Sequence, residues 1–299
     1  MAISAETEST MKKPTKILVL GASGMLGNAL LRLFVQTPGY DAYGSVRSYS
    51  AWTRLPECVR GKVKIGVDVE RVDCLTQIFA QVRPDVVVNC IGLVKQLAEA
   101  DDPLEAIPIN ALLPHRLARL CDVAGARLVH MSTDCVFSGA KGMYTEDDSS
   151  DAKDLYGRTK YLGEVDYPNA VTLRTSIIGH ELDGARGLVG WFLSQEGKVV
   201  KGYERAIFSG LPTVEIGKII RDYVIPNPEL RGVYHVSAEP ISKFELLTLV
   251  EKIYGKQIQI LPDDELVIDR SLDSSRFRAL TGFQPDSWPD LVRSMCQFS

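Results

Sequence analysis

The sequence predicts an α/β fold, a doubly wound parallel sheet with a smaller C-terminal lobe. Three observations carry that expectation. Short apolar runs alternate with longer helical stretches from residue 16 to about 176. The first apolar run passes directly into a cluster of three glycines and then a helix. Beyond about residue 177 the alternation loosens, and glycines punctuate the chain instead. Strands that alternate with helices imply right-handed crossovers and a parallel sheet covered on both faces.

The elements follow in order. Residues 1–15 are polar, with Glu6, Glu8 and several Ser and Thr, and lack the apolar stretch of a signal peptide. They read as a disordered leader. Residues 16–20 form a buried strand and 25–37 a helix, and 42–46 and 63–67 are two more strands. A helix over 71–82 is punctuated by Pro84, and the β-branched run 85–91 is a fourth strand. Residues 110–124 are helical despite Pro114, 127–132 form the fifth strand, 154–166 a helix and 170–173 the next strand. In the looser final third, helices are expected near 187–196 and 213–224 and a strand at 233–236. A helix over 242–254 opens with Ser242 and, three residues later, Glu245, the spacing of a capping box.

Bulk properties exclude several classes. A formal charge of −4 over 299 residues argues against a nucleic-acid surface, which needs a basic stripe. No run of 18 apolar residues is present, so no membrane span is expected. The six cysteines form no C-x-x-C pair and the four histidines no H-x-x-x-H pair. Free thiols in a reducing, cytoplasmic compartment and no metal site are the expectation.

The chemistry starts at Gly21-Ala-Ser23-Gly24-Met25-Leu26-Gly27. Glycines at this spacing let the backbone turn tightly and approach a pyrophosphate at a helix N-terminus. The glycines alone are a weak signal, and a plain glycine-rich turn is the alternative. Their place between first strand and first helix points to a Rossmann-type dinucleotide site. The second strand ends in Val46-Arg47-Ser48, with a guanidinium and no carboxylate. An arginine there pairs with a 2′-phosphate, so NADP(H) is favoured over NAD(H), unless Arg47 is simply solvated. Asp68, followed by Val69, is placed either to accept from an adenine amino group or to cap the next helix. Cys90-Ile91-Gly92 ends the fourth strand with a small, open backbone beside which a nicotinamide ribose could lie.

Tyr156 and Lys160 are spaced four apart on an expected helix, so phenol and ammonium share a face. A neighbouring ammonium stabilises a phenolate and draws the phenol towards neutral pH. The fifth strand ends in Ser132-Thr133-Asp134, which brings a hydroxyl to the carboxyl edge, where open α/β sheets bind ligands. Taken singly, such a hydroxyl is more often a turn-maker, and a Tyr–Lys pair arises readily by chance.

Together these segments resemble the dTDP-4-dehydrorhamnose reductase family of extended short-chain dehydrogenases. The resemblance is carried by the glycine cluster, Ser132-Thr-Asp-Cys-Val-Phe-Ser-Gly139, Tyr144-x-Glu146-x-Asp148, Tyr156-Gly-x-x-Lys160-x-x-Gly-Glu164 and Leu173-Arg-Thr-Ser176. Leu272-Asp-Ser-Ser-Arg276, Thr281-Gly-Phe283 and Trp288 extend it to nearly the whole chain from residue 16. It implies an NAD(P)-binding Rossmann domain over 16–176 and a mainly substrate-binding lobe over 177–299, with 212–236 returning to the first domain. It also implies hydride transfer to the ketone of a nucleotide-linked 4-keto-6-deoxy sugar, in cell-surface polysaccharide synthesis. Thr133 would bind the keto oxygen, Tyr156 would donate the proton, and Lys160 would hold the nicotinamide ribose and tune Tyr156. The cofactor would lie on Gly21, Ser23, Gly24, Met25, Leu26, Gly27, Arg47, Asp68, Val69, Cys90, Ile91 and Gly92, besides Tyr156 and Lys160. Asn110 either ties the Lys160 helix to a bound water or caps its own helix.

Departures from the family pattern fall at substrate-facing positions. Cys135 stands where the family has an aromatic residue, Ile177 where it has tryptophan, and Gly92-Leu-Val-Lys95-Gln96 replaces an alanine-rich segment. Lys95, Cys135, Arg174 and Ile177 are therefore the candidate substrate residues. The partner is a nucleotide-sugar, and the family allows a homodimer. Two other readings share the scaffold: a sugar-nucleotide epimerase or dehydratase, and a non-catalytic NADP-binding subunit like the regulatory subunit of methionine adenosyltransferase.

Overall fold

A computed structural model describes residues 13–94 and 98–299. Most of the expected leader, residues 1–12, lies outside the described residues, and Thr15 already belongs to the first strand. The sheet strands are β1 (Thr15–Leu20), β2 (Tyr40–Val46), β3 (Val63–Ile65), β4 (Val86–Asn89), β5 (Arg127–Thr133), β6 (Ala170–Thr175) and β7 (Gly232–His235). They lie side by side in the order β7-β6-β5-β4-β1-β2-β3, every pair parallel. The order reverses between β1 and β4, and the crevice at that switch point is where open α/β sheets take ligands.

Both faces are covered, which explains the unbroken apolar runs. Ile17 and Val19 point into one core cluster, and Leu18 and Leu20 into the other. Helix α1 (Met25–Gln36) lies on the first face beside α5 (Thr213–Ile219), where a Cβ on Gly217 would stand 2.7 Å from Leu33 Cδ2. Helices α2 (Val72–Val82) and α3 (Leu113–Ala124) lend Leu75, Ile78, Leu113 and Leu117 to the second cluster. Strand β7 comes from the looser third of the chain, and its Val233 and Tyr234 pair with Thr172 and Leu173 of β6.

Several boundaries differ from expectation for identifiable reasons. The third strand stops at Ile65 because Gly66 turns with φ +81°. The helix expected over 154–166 is α4 (Leu155–Leu162), ended at Gly163, which frees Glu164 to turn back towards β6. The helix expected over 110–124 begins earlier, with Pro103–Ala106, and passes through a π turn, Ile107–Leu112, before α3. Pro114 has no N–H for the carbonyl four residues back, so the ladder widens rather than breaks. The 213–224 helix likewise ends in a π turn, Ile220–Val224. Helix α6 (Lys243–Tyr254) carries the expected capping box: Ser242 Oγ accepts from Glu245 N–H at 3.1 Å, and Glu245 Oε2 accepts from Ser242 N–H at 3.3 Å.

The short helices Tyr49–Thr53 and Glu57–Arg60 and the C-terminal helices Ser275–Thr281 and α7 (Trp288–Gln297) had no expectation. Neither did the small strand groups of the final third, among them Ala206–Phe208 with Ile241–Ser242 and Ile268–Asp269. No helix among the described residues is long and apolar enough to cross a membrane. None of these residues forms a group of three or more His, Cys, Asp or Glu able to hold a metal.

Candidate active site

A cavity of about 900 Å³ opens along the carboxyl ends of β1, β4, β5 and β6. Its floor is the glycine turn. Gly21 adopts φ +85°, a conformation that favours glycine. A Cβ on Gly27 would sit 2.2 Å from Gly21 O, so only glycine lets α1 start this close to β1. Ser23, Gly24, Met25 and Leu26 line the cavity, as do Cys90, Ile91 and Gly92 at the end of β4. Gly21 and Gly27 act beneath the wall rather than in it.

Helix α4 leans on the end of β5 through another close approach. A Cβ on Gly157 would stand 2.4 Å from Cys135 O, and Asp154 Oδ1 caps the helix by accepting from Gly157 N–H at 2.8 Å. Thr133, Tyr156 and Lys160 consequently line one wall together. The Thr133 hydroxyl donates to Asp134 Oδ1 at 3.2 Å and accepts from Cys135 N–H at 3.1 Å. Lys160 is buried and donates to Met131 O at 2.7 Å. Across from it, Asn110 Oδ1 accepts from Leu93 N–H at 2.9 Å, while Asn110 Nδ2 reaches Leu93 O at 3.2 Å and Thr159 Oγ1 at 3.4 Å. Asn110 thus lies inside the π turn and ties the β4 loop directly to α4; it is not a helix cap.

The electrostatics differ from the simple Tyr–Lys picture. Burial pushes the Tyr156 phenol above its usual value, with Cys135 adding to the rise and the neighbouring Thr133 hydroxyl opposing it. Burial draws the Lys160 ammonium down to about 8, against the pull of Glu164. The phenol therefore keeps its proton throughout the neutral range, as a proton donor must. Asp134 is buried, which raises its carboxyl, and Arg270 counters that rise. Burial raises Cys135 to about 12, so its thiol stays protonated.

Other expected residues are placed differently. Cys135 and Ile177 line the cavity, but Arg174 does not. Arg174 is buried beneath it, held by both Glu164 oxygens at 2.6 and 2.7 Å and by His235 at 3.1 Å. Ser132 Oγ donates to the same Glu164 at 2.7 Å. Arg174 thus locks β5, β6 and β7 together, and its guanidinium is spent. Arg47 is exposed at the end of β2, outside the cavity wall. Asp68 and Val69 also lie outside the wall; Asp68 Oδ1 accepts from Glu70 N–H at 3.1 Å, and Arg71 rather than Asp68 occupies the cap of α2. Lys95 lies outside the described residues.

The structure adds wall residues that pattern reading missed: Arg54, Arg186, Lys243 and Arg270. Arg54 follows the short helix Tyr49–Thr53 and pairs with Asp183 at 2.9 Å across the cleft. Arg54, Arg186 and Arg270 come from segments without a strand-helix period, and Lys243 lies on an expected helix but in no motif, so nothing marked them as wall residues.

The floor fits a dinucleotide. The glycine backbone leaves room at a helix N-terminus, and a Cβ on Gly92 would stand 3.7 Å from Lys160 Nζ, so the open side of Gly92 faces the ammonium.

The chain is 36% identical over 148 residues to dTDP-4-dehydrorhamnose reductase of Streptomyces griseus, a match covering 49% of this chain and 43% of that one. The chain thus spans less than half the length of that relative. It is 28% identical to methionine adenosyltransferase 2 subunit beta of Danio rerio over 84% of this chain and 76% of the relative. The solved structure of dTDP-4-dehydrorhamnose reductase from Bacillus anthracis in complex with NADP superposes with a TM-score of 0.77 at 22% identity, covering 96% of this chain and all of that one. A family model described as the RmlD substrate binding domain matches residues 15–297, and the chain belongs to that family.

Proposed function

We propose that this protein is a nicotinamide-dependent reductase of a nucleotide-linked 4-keto sugar, of the 6-deoxy kind its relatives act on, in polysaccharide synthesis. The observation that carries the reading is the convergence of Thr133, Tyr156 and Lys160 on one wall of a cavity floored by the glycine turn. When bound, the reduced cofactor supplies the hydride. Thr133 turns its hydroxyl from Asp134 to the keto oxygen and polarises it. Tyr156, kept protonated by burial, donates the proton that the developing alkoxide needs. Lys160, held by Met131 O and facing the open side of Gly92, supports the ribose end of the cofactor. Cys135 and Ile177 shape the substrate wall, and restoring Tyr and Trp at these positions should shift substrate preference without abolishing reduction.

NADP(H) is the favoured cofactor on the exposed Arg47, which has no hydrogen bond or ion pair among the described residues, and on the lack of a carboxylate at the end of β2. Residues 16–176 with 212–236 constitute the cofactor domain in this reading, and the remainder the substrate lobe. Leu104, Ile107, Leu112, Tyr161 and Leu162 are exposed on neighbouring helices, which supports a homodimer. A cytoplasmic location suits an enzyme of nucleotide sugars. The likeness to the methionine adenosyltransferase subunit favours a second reading, cofactor binding without turnover.

One experiment separates these readings. Purified protein with NADPH is mixed with dTDP-, GDP- and UDP-linked 4-keto sugars, and nicotinamide oxidation and sugar product are both followed. Net oxidation supports the reductase. Sugar conversion without net oxidation means an epimerase, and cofactor binding with no conversion means a regulatory subunit.

A further inference from the structure

The segment 179–187 lies over the start of α1. Both its ends rest on Met25, the first residue of that helix: a Cβ on Gly179 would stand 3.4 Å from Met25 Sδ, and one on Gly187 2.8 Å from Met25 Cε. Between those ends Glu181, Leu182, Asp183 and Arg186 line the cavity, on the side where the glycine turn offers a helix N-terminus to the dinucleotide phosphates. The segment is closed on itself. Glu181 Oε2 accepts from Arg186 N–H at 2.8 Å and from Gly187 N–H at 2.9 Å, and Gly184 turns the tip with φ +84°. At its root, His180 Nε2 and Tyr254 Oη lie 2.9 Å apart in a hydrogen bond that ties it to α6.

The opposite bank is held firmly. Arg60 donates to Thr53 O at 2.6 Å and to Leu55 O at 2.8 Å, fixing the backbone on either side of Arg54. Among the described residues, Arg54 Nη1 to Asp183 Oδ2, at 2.9 Å, is the one ion pair that joins residues 47–60 to 179–187. Its two side chains are 47% and 66% exposed, and an exposed pair opens at little cost. With the pair closed the cavity still holds about 900 Å³, at the upper end of what ligand sites enclose, so closure and occupancy are compatible.

We infer that Arg54 and Asp183 form a clasp that closes the 179–187 segment over the dinucleotide and slows its escape. The inference rests on the nicotinamide-cofactor part of the reading above and on no step of turnover. Asp183 supplies the counter-charge for Arg54, so the guanidinium holds the mouth closed rather than contacting a phosphate.

The test is the rate at which bound NADPH leaves, read by stopped-flow fluorescence as excess NADP displaces it. Arg54→Met and Asp183→Asn should each speed dissociation by roughly 2- to 5-fold, the worth of an exposed ion pair. The double variant should be no faster than either single one, and Arg54→Asp combined with Asp183→Arg should return the rate towards wild type. Thermal unfolding midpoints should stay at the wild-type value, and a fall would mean general loosening and count against the clasp. Unchanged rates in both single variants overturn it. So does acceleration by Arg54→Met alone, because Arg54 then holds a phosphate directly, and so does a double variant whose effect is the product of the two single ones. If NADPH does not bind the wild-type protein, the cofactor reading falls and takes the clasp with it; if it binds and only the rates fail to change, the clasp alone falls.

Discussion

At Tyr156 and Lys160 the local physics departs from what their spacing implies. Four residues apart on a helix, they were expected to interact as phenol and ammonium, yet burial dominates both and moves them in opposite directions. The phenol rises and the ammonium falls to about 8, so below pH 8 the site offers a neutral acid and a cation. Above it the cation is lost. Dinucleotide affinity should therefore weaken as pH rises through about 8, and Lys160→Met should flatten that step; a dissociation constant unchanged from neutral to alkaline pH contradicts the assignment. Stability runs the other way. The unfolded lysine keeps its proton to about 10.5 and the folded one to about 8, so this residue's contribution to stability rises with pH between those values. Arg47 gives a second prediction: Arg47→Ala should weaken NADPH more than NADH, by about 1–3 kcal/mol in cofactor titrations, and equal losses would count against a 2′-phosphate contact. Tyr156 and Lys160 were legible because helical spacing is written in the sequence. Arg174 was not, because its partner Glu164 is reached only by a helix that stops at Gly163.

Among the elements, glycine contacts and proline placement decide where the catalytic helix sits. Pro114 has no N–H to offer Asn110 O, and α4 ends against that carbonyl: a Cβ on Gly163 would stand 2.0 Å from Asn110 O. Gly163→Ala should cost about 1–3 kcal/mol in urea unfolding and lower turnover with it, since the shift is transmitted to Lys160 three residues before. An unaltered midpoint would show that the contact relaxes freely. The strands and long helices of the first 176 residues were readable, because burial on both faces leaves continuous apolar runs. The π turn Ile107–Leu112 was not, since local pattern does not distinguish a widened ladder from an ordinary one. The small strands of the lobe were equally hidden: two- and three-residue pairings have no periodicity to read.

Across the whole molecule, a buried ionic network joins the elements that meet below the cavity. Ser132 on β5, Glu164 after α4, Arg174 on β6 and His235 on β7 are linked in one chain of hydrogen bonds. Glu146 extends the network by accepting from His235 N–H at 2.9 Å. Arg174 and Glu164 are each only 5% exposed at their side chains, so removing one charge leaves the other buried and unpaired. Glu164→Gln should destabilise the fold by about 3–5 kcal/mol in denaturant unfolding, whereas an effect under 1 kcal/mol would mean that water reaches the pair. The fold class was accessible from alternation alone, while this network was not, because it joins positions up to 103 residues apart that only the sheet order makes neighbours. The account's central claim is that the cavity reduces a ketone with Tyr156 as proton donor, and Tyr156→Phe tests it most directly. The ring and its packing are kept, so NADPH affinity and the unfolding midpoint should match the wild type, while steady-state reduction of the best keto sugar falls about 10²- to 10⁴-fold. Turnover by Tyr156→Phe within a few-fold of the wild-type rate would contradict the claim.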